Sequence, residues 1–215
     1  MRWKKRSLND CKLYLILDTE VNDYDHLLKV ARQSVLSGVD MIQLRDKKGL
    51  PKDIMKFSRS LLKFLKGRIP FIMNDRVDLA IAAGAADVHL GQDDFPIGVA
   101  RKMMGAGAII GVSCQSWKAA QRAENQGADY IGFGSVFKTK TKPYRQPMDL
   151  NLLSQVTTGL RIPVFAIGGI SQENIETLHQ RGINRVAVCR AICEATDLKE
   201  ATRRLKGILN GGLNF

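Results

Sequence analysis

The chain has 215 residues, with 33 Lys and Arg against 21 Asp and Glu, and so a formal charge of +12 with histidine neutral. Hydrophobic residues at 45% and charged residues at 25% are ordinary globular values, which excludes a disordered, collagenous or coiled-coil chain. The longest notable apolar run, Leu13 to Leu17, falls far short of the roughly 20 residues that a bilayer span needs.

From the N-terminus, Met1 to Arg6 is basic, but Asp18 and Glu20 interrupt any signal-peptide core behind it. A soluble cytoplasmic protein with no membrane partner is expected. Short apolar, β-branched runs then read as strands at Leu13–Leu17, Met41–Leu44, Phe71–Met73 and Asp87–Leu90. Four more follow at Ile109–Val112, Tyr130–Gly132, Val164–Ile167 and Arg185–Val188. Helical patterns separate them at Tyr24–Leu36, Lys52–Leu65, Val77–Ala83 and Ile97–Met104, then at Ser116–Asn125, Leu150–Thr157, Asn174–Gln180 and Leu198–Leu209. Units such as Gly38-Val39-Asp40 and Gly127-Ala128-Asp129 precede strands, with the glycine suited to ending a helix.

This alternation predicts one domain over residues 1–215, a (β/α)8 TIM barrel in which residues 1–11 form a basic N-terminal extension. A doubly wound sheet has fewer strands and often carries GxGxxG after the first one, where this chain has Leu17-Asp18-Thr19-Glu20. The four cysteines form no CxxC pair and read as small buried hydrophobes in a reducing compartment. Lys52, Lys56, Arg59, Lys63 and Lys66 recur every three or four residues, the pattern of a solvated helix face. No aromatic platform accompanies the cations, so no nucleic-acid partner is expected; attraction of anionic small molecules is the better use of the charge.

A barrel puts its functional residues at the C-terminal ends of strands and in the loops after them. Gln43, Arg45 and Lys47 alternate behind the second strand, which turns them to one side. An Arg and a Lys there suit phosphate or carboxylate, although two ordinary surface cations would give the same pattern. Asp75 and Asp94 follow the third and fourth strands, and two carboxylates with oxygen-bearing neighbours such as Asn74 and Gln92 suit Mg2+. A plainer reading has Asp75 capping the helix that begins near Val77 and pairing with Arg76. Gly168 and Gly169 precede a helix in a region where barrels often bind phosphate, though a tight turn explains a Gly-Gly pair as well. Of the three histidines, His89 is buried by pattern and reads as a satisfied core residue rather than a base.

Gln43-Leu44-Arg45-Asp46-Lys47, Asn74-Asp75-Arg76-Val77-Asp78-Leu79-Ala80, Val88-His89-Leu90-Gly91-Gln92-Asp93-Asp94, Thr139-Lys140-Thr141-Lys142 and Ala166-Ile167-Gly168-Gly169-Ile170 together resemble the thiamine phosphate synthase family, in order from about residue 12 to 192. The resemblance implies a transferase. It would couple 4-amino-2-methyl-5-pyrimidinylmethyl diphosphate to 4-methyl-5-(2-phosphoethyl)thiazole, giving thiamine phosphate and pyrophosphate, with Mg2+ as cofactor. It further implies that Gln43, Arg45, Lys47, Asn74, Ser113 and Lys142 hold the pyrimidine diphosphate, with Arg45, Lys47, Ser113 and Lys142 stabilising its departure. Asp75 and Asp94 would hold Mg2+. Thr139, Lys140, Thr141, Gly169, Cys189 and Arg190 would meet the thiazole phosphate. The partners are thus small molecules, and the sequence leaves room for a homo-oligomer.

Three residues depart from the family pattern. Arg190 stands in place of the usual Ser, where it would pair with the thiazole phosphate or obstruct it. Ser135 replaces the Pro of Gly-Pro-Val-Phe, which should loosen the loop carrying Thr139 and Lys142. Gln115 replaces a His found in many members, which argues against the related thiazole tautomerases. Those tautomerases and a catalytically silent phosphate-binding barrel are the alternative readings.

Overall fold

The computed structural model describes residues 5–140 and 145–211. Eight parallel strands close into a barrel in sequence order: β1 Leu13–Asp18, β2 Met41–Arg45, β3 Phe71–Asn74, β4 Asp87–Leu90, β5 Ile110–Cys114, β6 Tyr130–Phe133, β7 Val164–Ile167 and β8 Val186–Val188. The surrounding helices are α1 Tyr24–Leu36, α2 Pro51–Leu65, α3 Val77–Ala83, α4 Ile97–Met104, α5 Trp117–Asn125, α6 Leu150–Gly159, α7 Ile175–His179, α8 Arg190–Cys193 and α9 Leu198–Leu209. The (β/α)8 expectation holds, with two elements unforeseen: the one-turn α8, and a 3-10 helix at Lys5–Asp10. No helix of the described residues is long and apolar enough to cross a membrane.

The period of two along each strand divides the core into two layers. Leu13, Leu15 and Leu17 of β1 face the helices, as do Ile42 and Leu44, Val88 and Leu90, and Val186 and Val188. Tyr14, Ile16, Met41, Ile72, Ile109, Tyr130, Phe165 and Ala187 face inward, and Leu8 of the 3-10 helix joins them. Three inward rings meet edge to face, Tyr14–Tyr130 at 5.7 Å, Tyr14–Phe165 at 5.5 Å and Tyr130–Phe165 at 5.6 Å between centroids. Gly111 makes room for this layer, since a Cβ there would lie 2.0 Å from the Tyr130 ring. Lys52, Lys56, Arg59 and Lys63 all lie on the exposed face of α2. Cys11, Cys114 and Cys193 are buried, and none of the four cysteines forms a disulfide.

Aspartates that precede strands tie the lower end together. Asp40 accepts from the Lys12 and Leu13 amides at 2.8 Å each and from Lys206 Nζ at 2.6 Å, joining β1, β2 and α9. Asp129 does the same for β5, accepting from the Ile110 amide at 2.8 Å and from Arg101 at 2.6 Å, while Asp87 accepts from the Ile109 amide at 2.7 Å. The first amides of neighbouring strands thereby gain acceptors that the ladder does not supply. Asp40→Ala should therefore cost about 1.5–3 kcal/mol, the range for hydrogen bonds to a charged group. In thermal unfolding that is a drop in Tm of roughly 3–12 °C for a domain of this size, with kcat unchanged because Asp40 lies at the end of the barrel opposite the functional loops.

Candidate active site

Above the aromatic layer, the barrel opens at the C-terminal ends of its strands into a cavity of about 330 Å³. One wall carries Gln43, Arg45, Asn74, His89 and Ser113; the other carries Thr139, Lys140, Gly168, Gly169, Cys189 and Arg190. Ile16, Ile167 and Ala187 give the space between them an apolar lining. The structure thus brings together nine of the residues expected at the site. Lys47, Asp75 and Asp94 are not in the lining; they form a cluster beside it. Thr141 and Lys142 lie outside the described residues.

Arg45 ends β2 and sits in register with Asp18 at the end of β1. Its guanidinium donates to Asp18 Oδ2 at 2.7 Å and to Glu20 Oε2 at 3.1 Å. Asp18 is only 1% exposed, so this carboxylate fixes Arg45 from beneath. Sequence reading missed Asp18, although the rule that strand ends carry function would have flagged the last residue of β1. Lys47 lies beyond β2, in a turn organised by Asp46. Asp46 accepts from the Tyr24 hydroxyl and from the amides of Lys48 at 3.0 Å and Gly49 at 2.6 Å. Burial pulls the Asp46 carboxyl upward, but the Tyr24 hydroxyl and these amides outweigh it and hold it below the usual range.

The turn leaves Lys47 Nζ in an ion pair with Asp75. Asp75 continues β3 by donating its amide to His89 O at 2.8 Å, and it adopts φ 61, uncommon for a residue with a side chain. The plainer expectation for Asp75 fails: α3 opens at Arg76 with no side-chain cap, and Arg76 pairs with Asp78 at 2.6 Å. Asp94 accepts from the Gly91 amide at 2.6 Å and lies in hydrogen-bond contact with Asp75. Burial, and then the facing Asp94, push the Asp75 carboxyl above its ordinary range, with Lys47 opposing. Gln92, expected beside the carboxylates, instead spans two loops, donating to Ser113 O at 2.6 Å and accepting from Arg122 at 3.3 Å.

On the opposite wall, the loop after β6 lies directly on the two glycines. Val136 N donates to Ile167 O and Phe137 N to Gly168 O, both at 2.9 Å. A Cβ on Gly169 would come within 2.3 Å of Lys138 O, and both glycines have positive φ, 107 at Gly168 and 66 at Gly169. The loosening expected from Ser135 concerns a loop whose residues 141–144 lie outside the described residues, and at its own position Ser135 is tied. Its hydroxyl donates to Phe137 O at 2.9 Å and its carbonyl accepts from Met148 N at 2.9 Å, replacing proline's rigidity with hydrogen bonds. Arg190, the first residue of α8, lines the cavity while paired with Glu194 one turn on. Its Nε is buried and has no partner among the described residues. Contact with the Cys193 thiol and burial raise the Cys189 thiol well above its usual pKa, so it stays protonated.

The floor of the cavity is polar in one chain of contacts. Gln43 Nε2 donates to the Tyr14 hydroxyl, which lies 2.8 Å from the Tyr130 hydroxyl. His89 Nδ1 is 3.0 Å from Tyr130 Oη, and His89 Nε2 is 2.9 Å from Ser113 Oγ. His89 is the buried, satisfied residue expected, yet it also faces the cavity. Tyr14 and Tyr130 read in sequence only as strand residues, and nothing local marks them as polar partners. Asn74 Nδ2 is buried without a partner among the described residues, a donor available to a ligand.

Residues 13–192 match a family model described as thiamine monophosphate synthase. The chain is 35% identical over 202 residues to the thiamine-phosphate synthase of Clostridium tetani, covering 94% of this chain and 97% of that one. It is 41% identical over 202 residues to that of Chlorobium luteolum, covering 92% of each. Among solved structures it is similar to a thiamine phosphate pyrophosphorylase from Pyrococcus furiosus, with a TM-score of 0.85, 33% identity, and coverage of 96% of this chain and 98% of that one. A 3-hexulose-6-phosphate synthase at 20% identity and a TM-score of 0.71 shares the fold alone. The family match spans most of the barrel, from β1 into α8, and the chain therefore belongs to the thiamine-phosphate synthase family, a family of transferases.

Proposed function

We propose that this chain joins 4-amino-2-methyl-5-pyrimidinylmethyl diphosphate to 4-methyl-5-(2-phosphoethyl)thiazole, releasing pyrophosphate and forming thiamine phosphate. The observation that carries the reading is the division of one cavity between two anion-seeking walls. Arg45, Asn74 and Ser113 face the diphosphate on one wall. Gly168, Gly169, Lys140 and Arg190 face the thiazole phosphate on the other. The C–O bond between the pyrimidine methylene and the diphosphate breaks with its electrons on oxygen. The thiazole nitrogen lone pair then forms the new C–N bond, so no proton has to leave the nucleophile. What the chain must do is stabilise charge on the leaving diphosphate and keep water from the electron-poor methylene. Arg45, already oriented by Asp18 and Glu20, does the first, and Ile16, Ile167 and Ala187 do the second. Lys142 is proposed for the same diphosphate.

Asp75 and Asp94 are proposed to hold Mg2+. Two facing carboxyls, one of them with its pKa raised by burial and then by the other, form an oxygen-only pair that a divalent cation would relieve. Bound there, Mg2+ would supply Lewis-acid stabilisation of diphosphate oxygens. Product should form from both substrates with Mg2+ and vanish with EDTA. Asp94→Ala should lower kcat by several orders of magnitude while the protein stays folded by circular dichroism. Binding of both substrates without turnover would overturn the reading in favour of a silent barrel.

Asp75 carries a second expectation. A carboxyl whose folded pKa is raised binds its proton more tightly in the native state than when unfolded. Stability is then full below the unfolded value and falls as pH rises through the folded one. An ionised Asp75 is then a cost, and its positive φ also suits Asn. Asp75→Asn should raise the Tm of the metal-free protein by about 2–4 °C while reducing turnover. An unchanged or lower Tm would show that the pair with Lys47 outweighs the repulsion.

Arg190, paired with Glu194 in the cavity lining, is proposed to meet the thiazole phosphate rather than obstruct it. Arg190→Ser should raise the thiazole phosphate KM roughly 10- to 100-fold, the equivalent of a charge-assisted bond of about 1.5–3 kcal/mol. The KM for the pyrimidine diphosphate on the far wall should change little. Steady-state kinetics with each substrate varied in turn measures both.

A further inference from the structure

The chain Gln43–Tyr14–Tyr130–His89–Ser113 crosses the cavity floor from one binding residue to another, through groups that carry one transferable donor each. Each tyrosine hydroxyl has a single hydrogen and two polar neighbours. Tyr14 accepts from Gln43 Nε2, so its own hydrogen goes to Tyr130; the hydrogen of Tyr130 then goes to His89 Nδ1. A His89 that accepts at Nδ1 carries its hydrogen on Nε2 and donates it to Ser113 Oγ. Ser113 therefore keeps its own hydrogen for the cavity. Turning the Gln43 amide over would reverse every bond in the row and leave Ser113 donating to His89 instead. Burial raises the pKa of both tyrosine hydroxyls, so neither becomes an anion that could accept from both sides.

We propose that Tyr14, Tyr130 and His89 are positioning residues that couple the two ends of the pyrimidine diphosphate: Gln43, reading the pyrimidine amino group, fixes the polarity of the row so that Ser113 donates its hydroxyl hydrogen to the departing diphosphate. The inference rests on the function proposed above for its ligand, but not for its wiring. With Nε2 committed to Tyr14, the Gln43 carbonyl is left as acceptor at the cavity wall, where it matches an amino donor on the ligand. A ligand offering an acceptor there would turn the amide and withdraw the Ser113 donor. Recognition of the ring and stabilisation of the leaving group thus become one event, realised across the 2% exposed Gln43 and the fully buried Tyr130.

Two measurements test it. The chain has only three histidines, so the His89 tautomer can be read by 15N NMR of the imidazoles. Wild-type protein should show hydrogen on Nε2. Gln43→Glu, isosteric but accepting only, should move it to Nδ1; an unchanged tautomer overturns the proposal. This readout needs no substrate and stands apart from any failure of the proposed function. In kinetics, Tyr130→Phe should lower kcat by about 10- to 100-fold, the loss expected for one hydrogen bond to a charged group, with the pyrimidine diphosphate KM little altered. Tyr130→Phe combined with Ser113→Ala should be no slower than Ser113→Ala alone. Multiplicative losses in the double variant would show that Tyr130 acts on its own, and would overturn the coupling.

Discussion

The layer of Tyr14, Tyr130 and Phe165 divides the barrel interior, and most of the site depends on it. Their edge-to-face contacts fill the cross-section that branched aliphatics fill in most barrels. Below the rings the interior is apolar, sealed by Met41, Ile72, Ile109 and Leu8. Above them the same strands present Gln43, Asn74, His89 and Ser113. Because two of the three rings end in hydroxyls, the floor also has a polar side on which Gln43 and His89 are seated. An aliphatic layer would take the Tyr14 hydroxyl from Gln43 and the Tyr130 hydroxyl from His89, at a cost of about 1–3 kcal/mol for each buried hydrogen bond left unmade.

Charge at the mouth is arranged in pairs. Arg45 is held by Asp18 and Glu20, Lys47 by Asp75, and Arg190 by Glu194. Cations held this way would meet an incoming diphosphate or phosphate without reorganising, as the proposed function requires of them. Lys52, Lys56, Arg59 and Lys63 on the exposed face of α2 stand apart from these pairs.

Much of this was legible in the chain. Alternation of period two marked the strands, and the rule that loops after strands carry function placed Gln43, Arg45, Asn74, Ser113, Gly169 and Arg190 at one end. Motif order was enough to indicate the family. Boundaries drifted by a residue or two, as at β5, which starts one residue later than its apolar run and continues through Ser113 and Cys114. The one-turn α8 was missed because four residues show no periodicity. The hydrogen bonds of Ser135 to Phe137 and Met148 were not legible because they form only once the loop is folded.

The sequence by itself determined the barrel, its polar rim and the residue types that meet anions, because strand alternation and strand-end position are local properties. Only the tertiary structure decided who pairs with whom. Asp18 reaches Arg45, Asp75 faces Asp94, and Tyr14 meets Tyr130 across 116 positions because closing eight strands in fixed register brings distant strand ends together. A contact of that kind is set by the geometry of closure, and no short stretch of chain encodes it.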